Sequence, residues 1–276
     1  MPSSVSNPSH CLRILLAAFL LHSCCLGLCL ASNPERPDDP QTTSAKPNFD
    51  AIESIVEQGI KDGQMPGAGV VIASRKRVLY RRAFGQRQEK PTTEPMTLDT
   101  VFDLASLTKP IATATSVMKL VGQGLISPHQ KVSDILPEFG KHGKDEITVG
   151  DLLLHVGGLI PDNSLRDYRD GVQASWTNIC DLKPIAGRGE KFVYTDVGFI
   201  VLGKIVERVS KQPLDEYAQR NIFTPLGMKE TTFNPPEDLK KRAATTEQRN
   251  GQWIKGEVHD PRAHLLQGVA GHAGLF

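Results

Sequence analysis

The sequence predicts a mixed α/β (α+β) fold for the part of the chain that begins near Phe49. Three observations predict it. Ile52, Ile55, Val56 and Ile60 recur at helical spacing. Val70-Val71-Ile72 and Val78-Leu79-Tyr80 flank the charged Ser74-Arg75-Lys76-Arg77, as the two arms of a β-hairpin flank its turn. Phe199, Leu202, Val206 and Val209 then repeat the helical period at core spacing within residues 197–209.

Before the domain comes a segment with a different logic. Arg13 is followed by the apolar run Ile14-Leu15-Leu16-Ala17-Ala18-Phe19-Leu20-Leu21 and by the small-residue end Cys29-Leu30-Ala31, the layout of an export signal over residues 1–31. His22 and Ser23 break the run well short of the ~20 apolar residues that span a bilayer, and no other segment approaches that length, so no transmembrane helix is expected. Leu21-His22-Ser23-Cys24 loosely resembles a lipoprotein cleavage site, which would make Cys24 a lipid anchor; the alternative is that Cys24 leaves with the signal. Residues 32–47, rich in Pro, Ser, Thr and charge, read as a flexible tether, which leaves residues 48–276 as the folded domain of an exported, periplasmic or extracellular protein. Cys11, Cys24, Cys25 and Cys29 fall in the signal, so Cys180 alone remains and no internal disulfide is expected.

Lys plus Arg number 32 against 31 for Asp plus Glu. A net charge of +1 supplies none of the field on which nucleic-acid and anionic-membrane binders rely, so the partner expected is a small-molecule or peptide substrate. Nothing in the sequence selects an oligomeric state.

Along the domain, Gly63 and Pro66 stop the first helix. The hairpin follows. After Ser106 the chain is helical again, with Ile111, Thr115, Met118 and Gly122 on one face and Gly124 as the stop. Residues 151–154 and 197–209 are further helices, and 162–189 shows little periodicity.

The chemistry centres on Ser106-Leu107-Thr108-Lys109. On a helix, residues i and i+3 share a face, so the Lys nitrogen reaches the Ser hydroxyl. Serine is a poor nucleophile until a neighbouring base takes its proton, and a lysine in a confined, partly desolvated site is suited to help. The N-terminus of a helix adds N–H groups and a positive dipole end where negative charge builds up. Ser116-Val117-Met118-Lys119 has the same spacing but lies two to three turns inside the helix, where no free N–H groups are available. Ser106 instead follows Val101-Phe102-Asp103-Leu104-Ala105 at a strand-to-helix transition, with Pro110 in the first turn, where proline is tolerated. Ser106 is therefore the candidate nucleophile.

Ser106 to Lys109, Tyr194-Thr195-Asp196 and His272-Ala273-Gly274 resemble, in order, the three motifs of the class C β-lactamase-like, penicillin-recognising serine hydrolases. Residues 151–159 and 194–203 resemble two further segments of that family, and the similarity runs from about Ile52 to the last residue. The resemblance implies a β-lactamase/transpeptidase-like fold, an antiparallel sheet flanked by helices with a mostly helical second lobe. It implies that Tyr194 pairs with Lys109 as the base for Ser106, either of them being able to accept the proton. Asp196 stands where Asn is commoner; a carboxylate only accepts hydrogen bonds, so it should favour a charged Lys109, and it tilts the expected activity from β-lactam hydrolysis toward a peptidase, amidase or esterase. His272-Ala273-Gly274 stands where many relatives have Lys-Thr-Gly, with small residues that let a substrate backbone approach. The resemblance places the oxyanion hole at the backbone N–H groups of Ser106 and Leu275 and substrate binding at Asp196, His272, Ala273 and Gly274, His272 binding a substrate carboxylate when protonated or merely hydrogen-bonding, with an ordinary surface histidine as the alternative. It also implies that relatives continue beyond Phe276, so the expectation is a fragment lacking part of its α/β lobe.

His155 reads as a histidine that satisfies loop backbone groups. His259, Asp260, His264 and His272 match no metal-ligand spacing, and no metal or organic cofactor is expected. Arg75-Lys76-Arg77 and Arg81-Arg82 read as a solvated hairpin. The function expected is acyl transfer through Ser106 to hydrolyse an amide or ester: cell-wall peptide, muropeptide amide, β-lactam or small ester. The alternatives are a non-catalytic binder of cell-wall peptides and an inactive truncated fragment of the hydrolase.

Overall fold

Helix α1 (Asp50–Lys61) half-buries Ile52, Val56 and Ile60 and leaves Ile55 in solvent, a narrower apolar face than the spacing suggested. This is the first element of a computed structural model that describes residues 48–276. The expected export signal, the tether of residues 32–47, and Cys11, Cys24, Cys25 and Cys29 lie outside the described residues.

The hairpin forms as expected: β1 (Gly67–Ala73) and β2 (Val78–Gln88) run antiparallel, with Ile72 opposite Tyr80 and Val70 opposite Arg82. Ser74 closes the turn, its Oγ accepting from the N–H groups of Lys76 and Arg77. A short β3 (Glu94–Pro95) pairs with β2 to give the order β1-β2-β3, and α1 packs on β2. Arg82 is held by Glu53 of α1.

The helix after Ser106 is not regular. Residues 105–107 form one 3₁₀ turn, 109–114 a π-helical stretch, and only then does α2 (Thr115–Gly122) begin. The wider π turn rotates the face, so the buried residues are Lys109, Ala112, Thr113, Ser116, Val117 and Leu120. Of the face that carries Ile111, Thr115, Met118 and Gly122, only Ile111 is partly buried, and Met118 is 51% exposed.

Helices α3 (Val132–Ile135) and α4 (Val149–Leu153) follow, the latter starting at a reciprocal cap between Thr148 and Asp151. Helix α5 (Val172–Asp181) occupies the stretch in which no period was visible. Its polar residues mask the pattern by serving the backbone: Ser175 Oγ donates to the Gly171 carbonyl and Asn178 Nδ2 to that of Asp167. Trp176, Ile179 and Cys180 form its buried side.

Helix α6 (Asp196–Ser210) is the spine of the core, packed by α2, α3, α4 and α7 (Leu214–Ala218), with Phe199, Leu202 and Val206 buried as their spacing predicts. The remaining elements are α8 (Glu237–Arg242), the hairpin of β4 (Thr245–Arg249) and β5 (Gln252–Lys255), and α9 (Pro261–Leu265). Two bridges tie these late segments to the rest: Val101 pairs with Ala243, and Phe233 with Leu275. Among the described residues no helix is long and apolar enough to cross a membrane.

One contact fixes where the third motif runs. A methyl group on Gly271 would lie 1.8 Å from the Phe199 carbonyl oxygen, and one on Gly203 would lie 3.3 Å from the Gly271 Cα, so the chain before His272 rests directly on the α6 backbone. Gly271→Ala should therefore lower stability by about 1–3 kcal/mol through forced separation of these backbones, read as a lower urea midpoint at unchanged slope.

Candidate active site

Ser106 lies at a join between two parts of the chain. The Leu104 N–H donates to the Leu275 carbonyl at 2.8 Å, and Ala105 then takes φ +46°, a left-handed conformation that is costly for a residue with a Cβ. The turn delivers Ser106 into a first helical turn, where N–H groups lack intrahelical partners. Asp103 supports it: Oδ1 accepts from the Ala105 N–H at 2.8 Å, and Oδ2 accepts from the His259 N–H at 2.9 Å and lies 2.9 Å from His259 Nδ1.

Lys109, 2% exposed, is the centre of the constellation. Its Nζ donates to Ser106 Oγ at 2.9 Å and to the His272 carbonyl at 3.2 Å, and lies 2.6 Å from Asp196 Oδ1. The last contact is an ion pair whose angles fall outside hydrogen-bond geometry, leaving Asp196 Oδ1 with charge attraction as its compensation. The Tyr194 ring centroid is 4.8 Å from the same nitrogen and that of Phe199 5.9 Å, so aromatic faces close the remaining sides.

The start of α6 places both Tyr194 and Asp196. Thr195 caps the helix by accepting the Gly198 N–H and donates its hydroxyl to the Ile160 carbonyl, while the Asp196 N–H donates to that of Pro161. His155 Nδ1 accepts from the Thr195 N–H at 3.1 Å, the backbone-satisfying role its sequence context suggested. Its ring also packs 4.6 Å from that of Tyr194 and 5.0 Å from that of Phe199. Burial first, and then the charge of Lys109, pushes its pKa below the ordinary histidine value, keeping it the neutral acceptor this bond needs.

The third motif differs from expectation at two residues. His272 is 1% exposed, its Nε2 lies 2.9 Å from Asp260 Oδ1, and its Nδ1 has no hydrogen-bond partner; the side chain is built into the protein, and neither the surface-histidine reading nor one that offers the imidazole to the cleft describes it. The Leu275 N–H, expected to face an oxyanion, is buried and donates to Thr108 Oγ1 at 3.1 Å. Thr108 is itself fully buried and gives its hydroxyl proton to the Ala105 carbonyl, so its oxygen needs a donor and Leu275 is the one within reach. Ala273 and Gly274 follow on the same buried stretch, Gly274 at φ +113°. Ser116 of the competing Ser-x-x-Lys pattern is buried with no hydrogen-bond partner and Lys119 is exposed, so the structure does not bring that pair together.

Three charged residues at the site were not singled out for it by sequence. Asp260 carries a signal that finds it, since Asp-Pro opening a short helix is a capping signal, and its carboxylate does cap α9 while pairing with His272. Asp162 has its pKa raised by burial above all, with Arg262 opposing and the neighbouring Asp196 carboxylate adding to it. Arg262 donates to the Asn163 carbonyl and so ties α9 to the segment that carries Asp162. Of the four residues whose spacing matches no metal signature, Asp260 and His272 meet, whereas His259 turns to Asp103 and His264 to Arg249. Asp196, Asp260 and His272 bring ligand atoms within 4.8 Å of one another, with Asp196 engaged by Lys109 and Asp260 by His272.

The helix-flanked antiparallel sheet and the Ser106–Lys109 pair at the entrance to a buried helix together define the class of protein. The chain belongs to the Beta-lactamase family, whose model matches residues 52–276. It is 33% identical to an N-acetylmuramyl-L-alanine amidase of Bacillus subtilis (strain 168), over 82% of this chain and 59% of that protein. It is 30% identical to a putative D-alanyl-D-alanine carboxypeptidase of Escherichia coli (strain K12), over 76% and 57%. The chain thus spans less than two thirds of the length of these relatives. Its fold is that of a class C beta-lactamase, superposing with a TM-score of 0.70 at 20% identity over 82% of this chain and 60% of that one.

The Asp260–His272 contact carries a pH prediction. Burial raises the Asp260 pKa, but the hydrogen bond and charge of His272, the Ala263 N–H and Arg262 outweigh it and bring the group from 3.8 down to about 2. A depressed carboxylate pKa stabilises the fold above the unfolded value and loses that contribution as pH falls through the folded one. Asp260→Asn should cost about 2 kcal/mol at neutral pH, and the gap from wild type in denaturant unfolding should close as pH falls from 3.8 to about 2.

Proposed function

We propose that the protein is an exported serine hydrolase that forms an acyl-enzyme on Ser106 and hydrolyses amide bonds of cell-wall peptides. The observation that carries the reading is the single nitrogen of Lys109, 2.9 Å from Ser106 Oγ, 2.6 Å from Asp196 and beside the Tyr194 ring. In this reading Ser106 Oγ attacks the carbonyl carbon, its proton passes to the Lys109–Tyr194 pair, and the same pair protonates the departing amine. Water then adds to the acyl carbonyl, and Ser106 leaves with its proton restored.

Asp196 supports an amide of peptide type over a β-lactam. Its carboxylate is committed to Lys109 and has no N–H to offer a substrate carbonyl, which an Asn at this position would have. The names of two relatives at 30% identity or more, an amidase and a carboxypeptidase, point to the same substrate class. Proton transfer within the pair needs no metal, so the residues that do the chemistry are Ser106, Lys109 and Tyr194. Export rests on the signal-like layout of residues 1–31.

Labelling by a fluorophosphonate, together with turnover of muropeptides, D-alanyl-D-alanine peptides, a chromogenic cephalosporin and p-nitrophenyl esters, tests the reading. Ser106→Ala should abolish labelling and lower kcat by roughly 10⁴-fold or more. Lys109→Ala should lower kcat by about 10²–10⁴-fold. Retained turnover in Ser106→Ala would refute an acyl-enzyme at this serine, and faster hydrolysis of the cephalosporin than of either peptide class would refute the substrate assignment.

A further inference from the structure

The site contains a second, less obvious circuit, built from two consecutive residues outside the three motifs. His259 reaches Asp103, three residues before the nucleophile, through both its N–H and its Nδ1, each 2.9 Å from Asp103 Oδ2. Asp260 reaches the third motif, with Oδ1 2.9 Å from His272 Nε2. From there the path closes on the reacting atoms. The His272 carbonyl accepts from Lys109 Nζ, Lys109 Nζ donates to Ser106 Oγ, and Asp103 Oδ1 holds the N–H of Ala105, the residue before Ser106.

The Asp103 side chain is only 1% exposed and receives three donors, the Ala105 N–H, the His259 N–H and the His259 ring nitrogen. A carboxylate accepts all three, whereas an amide would set at least one donor against a donor. The Ala105 backbone it holds is in the left-handed region, at φ +46°, and such a conformation persists only where its surroundings over-determine it. Arg249 fixes the same loop by donating to the Val258 and His259 carbonyls. A buried carboxylate that grips both the strained turn and a distant loop is suited to setting the angle at which Ser106 enters the site.

We propose that Asp103 and His259 are positioning residues for the nucleophile: His259 orients Asp103, and Asp103 holds the Ala105 turn so that Ser106 Oγ stays within reach of Lys109. Neither touches the reacting atoms. The proposal rests on the serine-hydrolase reading above and adds two residues to it.

The test compares wild type, His259→Ala, His259→Asn and Asp103→Asn on a p-nitrophenyl ester and with the fluorophosphonate, alongside thermal unfolding. His259→Ala should lower kcat and the labelling rate about tenfold or more while KM moves little, because a small misplacement of a nucleophile costs rate before binding. His259→Asn, whose amide can donate to Asp103 from near the position of Nδ1, should recover most of the loss. Asp103→Asn should be slower than His259→Ala. Unchanged kcat in His259→Ala overturns the proposal, as does an equal loss in His259→Asn, since a hydrogen bond to Asp103 would then not be the cause. Should Asp103→Asn fail to fold, the His259 pair alone decides. Wild-type protein that takes no label and turns over no substrate overturns both this proposal and the reading it rests on, whereas normal wild-type labelling with an unaffected His259→Ala overturns this proposal alone.

Discussion

A cation buried to 2% exposure is the constraint around which this molecule is arranged. Leaving an ammonium uncompensated in the interior costs several kcal/mol, so every group that approaches Lys109 is an acceptor or an aromatic face. Its partners come from three stretches of chain, one local and two distant: Ser106 one turn away, the Asp196 carboxylate at the start of α6 and the His272 carbonyl after α9. Satisfying one nitrogen therefore requires the tertiary structure to be in place. The buried Thr113 hydroxyl, which donates to the Gly271 carbonyl, and the glycine contact between Gly271 and α6 hold the same three stretches together from behind.

Much of this was legible in the sequence where local chemistry dominates. The hairpin at Ser74, the core face of α6 and the choice of Ser106 over Ser116 follow from alternation, helical period and the position of each serine relative to a helix start. What escaped was set by irregular or long-range geometry. A single π-helical stretch turned the Ser106 helix so that Met118 faces solvent, and the polar residues of α5 concealed a helix whose Ser175 and Asn178 serve backbone groups. The pairings of Asp103 with His259 and of Asp260 with His272 span 156 and 12 residues, and no periodicity reports a contact of that kind.

The site also shows how a family motif can keep its place while its side chains change occupation. His272 and Leu275 stand at the positions the resemblance assigns, yet the imidazole faces Asp260 and the Leu275 amide faces Thr108. A histidine in place of a lysine is short enough to be held by a neighbouring carboxylate on the protein side, and Asp260 is fixed there by the demands of capping α9.

The Thr108–Leu275 contact has a consequence for how the two ends of the site are coupled. The Thr108 hydroxyl donates to the Ala105 carbonyl and accepts from the Leu275 amide, so one oxygen joins the strained turn before Ser106 to the stretch that follows the third motif. A methyl group in its place would strand the buried Leu275 amide and take a donor from the Ala105 carbonyl at once, and leaving such groups unpaired is what makes a small polar side chain hard to replace.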